Sequence, residues 1–492
     1  MSTREEQIRE QRLESLKRIR EKGIDPYPSK GKRTHLCIEV KNNYKSLQGK
    51  KVSVVGRIMT DRNMGKIAFF TIKDVSGTLQ IVFRQDNLGK EKQKDLKIFD
   101  TGDFIEVSGT VMKTKVGEVS VDVKNFRLLA KSLMPLPDKF SGLKDEELKL
   151  RKRYLDILSN DDVRDMIVKR SRFWQAMREF MLKEGFMEVE TPVLETTAGG
   201  ADARPFVTHH NALDMDVYLR ISAGELWQKR LMVAGLEKTF EIGRIFRNEG
   251  MSFEHLQDYT QMEFYWAYAD YNDGMKTVEK LYKYLAKTIF GTYKFQIGDH
   301  KVDLGKKWEI YSYPKIIKEV TGINISDTNI TEIKDKLKKL NIKYDTKGFN
   351  LIRGIDTLWK HCRKKISGPG FLIDIPVEME PLAKRKTEDQ NFVQRFQVLL
   401  AGSEMGKGYS ELNDPIDQAE RFASQQKMRD AGDEEAQMFD KDFIEALEIG
   451  MPPTCGFGIS ERLFSYLLNK PSRETQIFPL MRPDKVKETK IK

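Results

Sequence analysis

The chain has 492 residues, 39% hydrophobic and 32% charged, which is too long for one domain and ordinary for globular protein. No run approaches the ~20 apolar residues of a membrane helix, and Met1 to Gly23 lacks the apolar core of a secretory signal, so a cytoplasmic protein is expected. The net charge of +11 favours a polyanionic partner, nucleic acid before membrane, while Cys37, Cys362 and Cys455 stand too far apart for a disulfide framework or a zinc site.

Residues 3–22 read as a helix with a thin apolar stripe of Ile8, Leu13, Leu16 and Ile19, stopped by Gly23 and Pro26. Its arginines, Arg9, Arg12, Arg18 and Arg20, suit either a nucleic-acid backbone or a solvated face. From Val52 to Leu129 five short strands follow one another (VSVVGRI, AFFTIKD, GTLQIVFR, DFIEVSGTVMKT, EVSVDVKNFRLL), the pattern of a small closed barrel of the OB type. Such barrels stack single-stranded bases on exposed aromatics; of the adjacent Phe69 and Phe70, one must face out and one in. Pro135 and Pro137 followed by a dense charge run mark a stiffened linker before a helix. The expected division is 1–140 for the helix and barrel, 141–155 for a hinge, and 156–492 for a second domain.

In the second domain, 161–184 is an amphipathic helix leading into a strand that closes on Pro192. Gly199 and Gly200 permit close backbone approach to a ligand. His209 and His210 are adjacent on a strand, point to opposite faces, and make a poor metal pair. The densest stretch is Phe246 to Tyr265, FRNEGMSFEHLQDYTQMEFY. KTFEIGRIF before it reads as a strand. In the run after it Tyr259, Gln261, Glu263 and Tyr265 alternate with Thr260, Met262 and Phe264. An antiparallel hairpin with one polar face would present Arg247, Glu249, His255, Tyr259, Glu263 and Tyr265 to one cavity; the alternative is a surface hairpin with solvated ion pairs. Residues 292–365 read as an insertion with a structural role. Gly402, Gly406 and Lys407 mimic a phosphate loop, but the spacing is one short and Gly408 stands where a magnesium-binding hydroxyl is needed.

These residues resemble a known family. FRNEG followed by His and MEFY is similar to motif 2 of the class II aminoacyl-tRNA synthetases, nearest the lysyl branch. The 161–192 segment resembles motif 1, PPTCGFGISERLFSYLL resembles motif 3, and GRIM, FFTIKD, LQI, TGD and GEVS resemble the anticodon-binding barrel of lysyl- and aspartyl-type enzymes. The resemblance implies an α+β protein: an OB-fold barrel plus a class II catalytic domain with an antiparallel sheet flanked by helices, forming a homodimer through motif 1. It implies lysine–tRNA ligase activity with ATP, L-lysine and tRNA(Lys) as substrates and Mg2+ as cofactor. A lysyl ligase acting on a protein, an aspartate- or asparagine-type synthetase, and a non-catalytic RNA-binding protein are the alternatives.

Carried over position by position, Arg247 and Arg462 are the expected catalytic residues, and Arg247, Glu249, His255, Tyr259, Glu404 and Arg462 bind ATP. Lysine would meet Gly200, Glu225, Arg247, Glu263, Tyr265 and Glu411, with Glu225, Glu411 and the Tyr265 hydroxyl enclosing its ammonium. Arg57, Phe69 and Gln80 would hold the central anticodon base and Glu118 the third. Glu404 and Gln397 are the metal positions. The chain departs from the family pattern at Gln397, where a second metal-binding glutamate is usual, and at Lys407, where asparagine is usual. It also has one extra residue before Glu225 and one fewer in motif 3.

Overall fold

In a computed structural model of the chain, which describes residues 3–137, 145–250, 252–346 and 349–483, the polypeptide forms two compact units, Met1–Asn160 and Asp161–Lys492. The break falls after Asn160, C-terminal to the expected hinge. Of that hinge, 141–144 lie outside the described residues, and the remainder is helical from Glu146–Arg151 into Arg153–Ser159.

In the first unit the period-two patterns become strands β1 (Lys51–Asn63), β2 (Ile67–Lys73), β3 (Thr78–Arg84), β4 (Phe104–Lys113) and β5 (Val119–Ala130). They close into a barrel in the order β1-β2-β3-β5-β4, with β3 and β5 parallel. Alternate side chains, among them Val54, Phe70, Ile81, Phe83 and Val107, fill the interior. Phe70 is buried there and Phe69 faces outward, half-covered, as adjacent strand positions require. The helix Arg4–Glu21 opens on a capping box between Thr3 and Glu6 and buries Leu16 and Ile19. Arg12 is no backbone-tracking cation: it is buried and donates to the carbonyls of Thr101 (3.0 Å) and Met134 (2.8 Å).

The second unit is built on an eight-stranded sheet. Its strands are β6 (Met187–Glu188), β7 (Lys238–Phe246), β8 (Asp258–Ala267), β9 (Glu309–Ser312), β10 (Gly370–Ile373), β11 (Arg395–Leu400), β12 (Ser403–Ser410) and β13 (Thr454–Ser460). The order is β9-β10-β11-β12-β13-β8-β7-β6, antiparallel except for the two edge pairs. One face packs Met262, Phe264, Phe396 and Phe457 against Phe173, Met177 and Met181 of the helix Asp161–Lys183 and Val278 and Tyr282 of the helix Tyr271–Leu285. The strand expected up to Pro192 is cut to Met187–Glu188. The segment read as an insertion is not an appendage. Glu309–Ser312 is the sheet's edge strand, and Trp359 reaches the site described below. His209 is spent on Asp216 (3.1 Å), and no metal-binding cluster of His, Cys, Asp and Glu occurs among the described residues.

Candidate active site

The hairpin forms in the expected register. β7 and β8 pair antiparallel with Phe240 opposite Phe264 and Phe246 opposite Asp258. β13 lies along the other edge of β8, with Gly456 opposite Tyr265 and Gly458 opposite Glu263. Because side chains alternate across a sheet, Met262 and Phe264 enter the core while Tyr259, Gln261, Glu263 and Tyr265 face a cleft of about 330 Å³. Gly200, Glu225, Arg247, His255, Glu404, Glu411 and Arg462 line the same cleft, as does Gln397. Glu249 lines a slot of about 50 Å³ beside it, shared with Arg247, His255, Tyr259 and Arg462.

One end of the cleft is acidic. Glu225 opens the helix Glu225–Val233, and the extra residue before it is absorbed in the loop preceding that helix, so the carboxylate still reaches the cleft. Glu411 follows β12 and is 2% exposed. Between them sits a residue that the sequence did not single out: Lys229, fully buried, with Nζ 2.7 Å from Glu225 Oε1 and 2.5 Å from Glu411 Oε2. The hydroxyl on Glu225 belongs to Tyr409 and not to Tyr265; Tyr265 donates instead to Glu263 (3.0 Å). Glu263 is held further by the Ala223 amide (2.8 Å) and Gln261 (2.5 Å). Burial, then the charge of Glu225, raises its pKa to about 7. Glycines make room here. Gly200 has φ +84°, and a Cβ on it would lie 2.6 Å from Ser222 Oγ; a Cβ on Gly456 would lie 2.1 Å from Glu411 Oε1.

The other end is cationic. Arg247 follows β7, and its Nε donates to the Ile221 carbonyl (3.3 Å), leaving its terminal nitrogens without a hydrogen-bond partner among the described residues. Arg462 opens the helix Arg462–Leu467 and is anchored on Glu254 (3.3 Å). Glu254 also accepts from Ser403 (2.7 Å) and from Tyr466. Burial opposes ionisation of Glu254, but Arg462 and these hydroxyls win and hold its pKa below the usual carboxylate range. Burial and Arg462 lower the pKa of His255, which favours the neutral imidazole. Glu461, beside Arg462, is buried on Arg170 of the Asp161–Lys183 helix and accepts from the Thr260 amide (3.2 Å). The three sequence motifs therefore meet at one carboxylate.

Toward the middle of the cleft the two departures from the family pattern sit in one network. Glu404 accepts from Trp359 (2.6 Å) and from the Gln397 amide (3.2 Å). The Gln397 carbonyl oxygen, the atom that would ligate a metal, accepts from Arg395. Arg395 (2.8 Å) and Lys407 (3.0 Å) both pair with buried Glu380. Lys407 therefore lines the cleft as a paired cation and does not stand free. Glu404 keeps acceptor capacity and fits one magnesium ion; the Gln397 oxygen, neutral and already accepting from Arg395, is the weaker ligand of the two.

On the barrel, the register separates two residues expected to act together. Arg57 pairs with Lys73, stacks on Phe104 (4.2 Å to the ring centre) and donates to the Gly102 carbonyl (3.0 Å). The residue opposite Phe69 is Arg62, because β1 carries a bulge between Ile58 and Thr60. Gln80 lies opposite Thr71, beside Phe69 on the same face, and accepts from Ser120 (2.9 Å). Glu118 is exposed and 3.4 Å from Lys41.

The chain matches the tRNA synthetases class II (D, K and N) family over residues 145–482 and an OB-fold nucleic acid binding domain over residues 52–129. It belongs to the class II aminoacyl-tRNA synthetases. It is 44% identical over 484 residues to a lysine–tRNA ligase of Clostridium botulinum, covering 97% of this chain and 96% of that protein. It is 44% identical over 491 residues to one of Clostridium perfringens (98% of each) and 43% identical over 494 residues to one of Thermosipho africanus (99% and 98%). Within the class, the chain belongs to the lysine–tRNA ligase family.

Proposed function

We infer that this chain is an aminoacyl-tRNA synthetase that activates L-lysine with ATP and ligates it to tRNA(Lys). The observation that carries the inference is one cleft with two carboxylates, Glu225 and Glu411, at one end and Arg247 and Arg462 at the other. An aspartate side chain would meet like charge at the acidic end, which argues against the aspartate-type alternative. The N-terminal barrel favours tRNA over a protein as acyl acceptor.

In the first step a lysine carboxylate oxygen attacks the α-phosphorus of ATP, the bond to the β-phosphate breaks, and pyrophosphate leaves. In the second a terminal ribose hydroxyl of tRNA attacks the acyl carbon and AMP leaves. Positioning and charge neutralisation do most of the work in such transfers. Arg247 bridges the lysine carboxylate and the α-phosphate, where negative charge builds. Tyr259 and Arg462 enclose the adenine ring, Glu249 accepts from its amino group, and His255 donates to the terminal phosphates. Gly200 offers its carbonyl to the α-ammonium, while Glu225 and Glu411 take the side-chain ammonium and Glu263 braces the floor. Magnesium would be held by Glu404 and would supply charge neutralisation on the phosphates. Glu404→Ala should raise the magnesium concentration for half-maximal ATP–pyrophosphate exchange and leave the KM for lysine unchanged.

On the barrel, Phe69 stacks on the central anticodon base, Gln80 and Arg62 bond its edge, and Glu118 reads the third base. Phe69→Ala and Arg62→Ala should each weaken tRNA charging, Phe69→Ala by about 1–3 kcal/mol, without changing lysine activation. Arg57→Ala should lower the melting temperature instead. Exposed Val168, Leu182, Met187, Val193 and Leu194, on the Asp161–Lys183 helix and the segment after it, support a homodimer through that surface. No described helix is long and apolar enough to cross a membrane, consistent with a cytoplasmic enzyme. Lysine-dependent charging of tRNA(Lys) tests the whole reading.

A further inference from the structure

We propose that Lys229 is a specificity-determining positioning residue: its buried ammonium fixes one oxygen of Glu225 and one of Glu411, so that their other oxygens are turned to the substrate's side-chain ammonium. This rests on the lysine pocket proposed above. Lys229 is fully buried and does not line the cleft, so it supports the floor and does not touch the substrate. It sits one helical turn after Glu225, the spacing at which a helix brings two side chains together. Its contacts are Glu225 Oε1 (2.7 Å) and Glu411 Oε2 (2.5 Å). Glu225 Oε2 and Glu411 Oε1 accept no hydrogen bond among the described residues, and both side chains line the cleft. The rings of Tyr265, Tyr409 and Phe443 surround the ammonium at 6.0, 5.5 and 5.9 Å, which keeps it from wandering.

The charge arithmetic explains why an internal cation is needed. The groups facing Lys229 are Glu225 on its own helix, Glu263 and the Tyr265 hydroxyl from β8, and Glu411 and the Tyr409 hydroxyl from β12; Glu380 acts from further off. Three buried carboxylates with no cation repel one another and take up protons. A protonated pocket offers the substrate neutral hydrogen bonds and ranks an uncharged analogue closer to lysine. Burial already pushes the pKa of Glu411 up, and Lys229 is the main group pushing it down. Removing Lys229 therefore raises the pKa of Glu411 further in the folded protein. Lysine binding, which needs the carboxylates, is then lost at a higher pH as pH falls.

The test is ATP–pyrophosphate exchange by the full chain, with the KM for lysine followed from about pH 6 to about pH 9.5. Lys229→Met should raise the KM for lysine by about tenfold or more at neutral pH and move its acid limb up by about one pH unit. The KM for ATP should be unchanged, and discrimination against norleucine should narrow. Lys229→Arg, which keeps the cation, should hold the limb at its wild-type position. A folded Lys229→Met protein with an unmoved limb would overturn the proposal. Where Lys229→Met shows no cooperative melting transition, Lys229→Arg decides: an unmoved limb supports the proposal and a limb displaced upward overturns it. Wild-type exchange that does not depend on lysine would be a different failure, that of the lysine reading itself.

Discussion

Glu411→Gln is expected to raise the KM for lysine by about two to four decades in ATP–pyrophosphate exchange, with the KM for ATP little changed. Breaking a buried ion pair by removing one partner costs roughly 3–5 kcal/mol, because the other charge is left without compensation. Here the loss is felt twice. Lys229 keeps only Glu225, so the fixed ammonium and the substrate ammonium then compete for a single carboxylate. Gln is nearly isosteric with Glu, and Glu411 is enclosed by Gly456 and Tyr265, so the packing survives and the defect is electrostatic. Equal losses for lysine and ATP would point to collapse of the site and not to a specificity pocket.

Arg247→Ala is expected to act on the other kinetic constant, lowering kcat for adenylation by about 10²–10³-fold, the usual cost of removing one preorganised donor from developing charge. The free terminal nitrogens of Arg247 are the reason. Arg462 is tied to Glu254, whereas among the described residues only the Nε of Arg247 makes a hydrogen bond. A change confined to the KM for lysine, measured in the same exchange assay, would assign Arg247 to ground-state binding alone.

The fold was legible wherever the period of the apolar residues was clean. The alternation from Tyr259 to Tyr265 placed the cleft face of β8, and Phe69 and Phe70 divided between outside and inside as strand geometry demands. Arg57 pairs with Lys73, away from Phe69, and a one-residue β-bulge after Ile58, which leaves no mark in composition, puts Arg62 and not Asp61 opposite Phe69. Tyr409, whose hydroxyl bonds Glu225, has no signal in the sequence, because the contact joins a helix and a strand far apart along the chain. Lys229 had a signal, its four-residue spacing from Glu225, which looks like any solvated helix pair until burial is known. Glu254, Glu380 and Arg395 have no local signal: each acts through partners distant along the chain. The same holds for Trp359, reached through a segment that reads as an insertion.

The metal positions show how one substitution is absorbed. With glutamine at 397, Arg395 bonds the amide oxygen and the amide nitrogen turns to Glu404, so Glu404 is the one carboxylate of the pair. Arg395 and Lys407 share Glu380, which stays ionised despite burial because both cations press on it.

The central claim is that the acidic end of the cleft selects lysine for adenylation. ATP–pyrophosphate exchange with each of the protein amino acids in turn tests it most directly. Exchange that responds strongly to lysine and not to aspartate or asparagine is the predicted result; exchange driven by aspartate or asparagine, or by no amino acid at all, would contradict it.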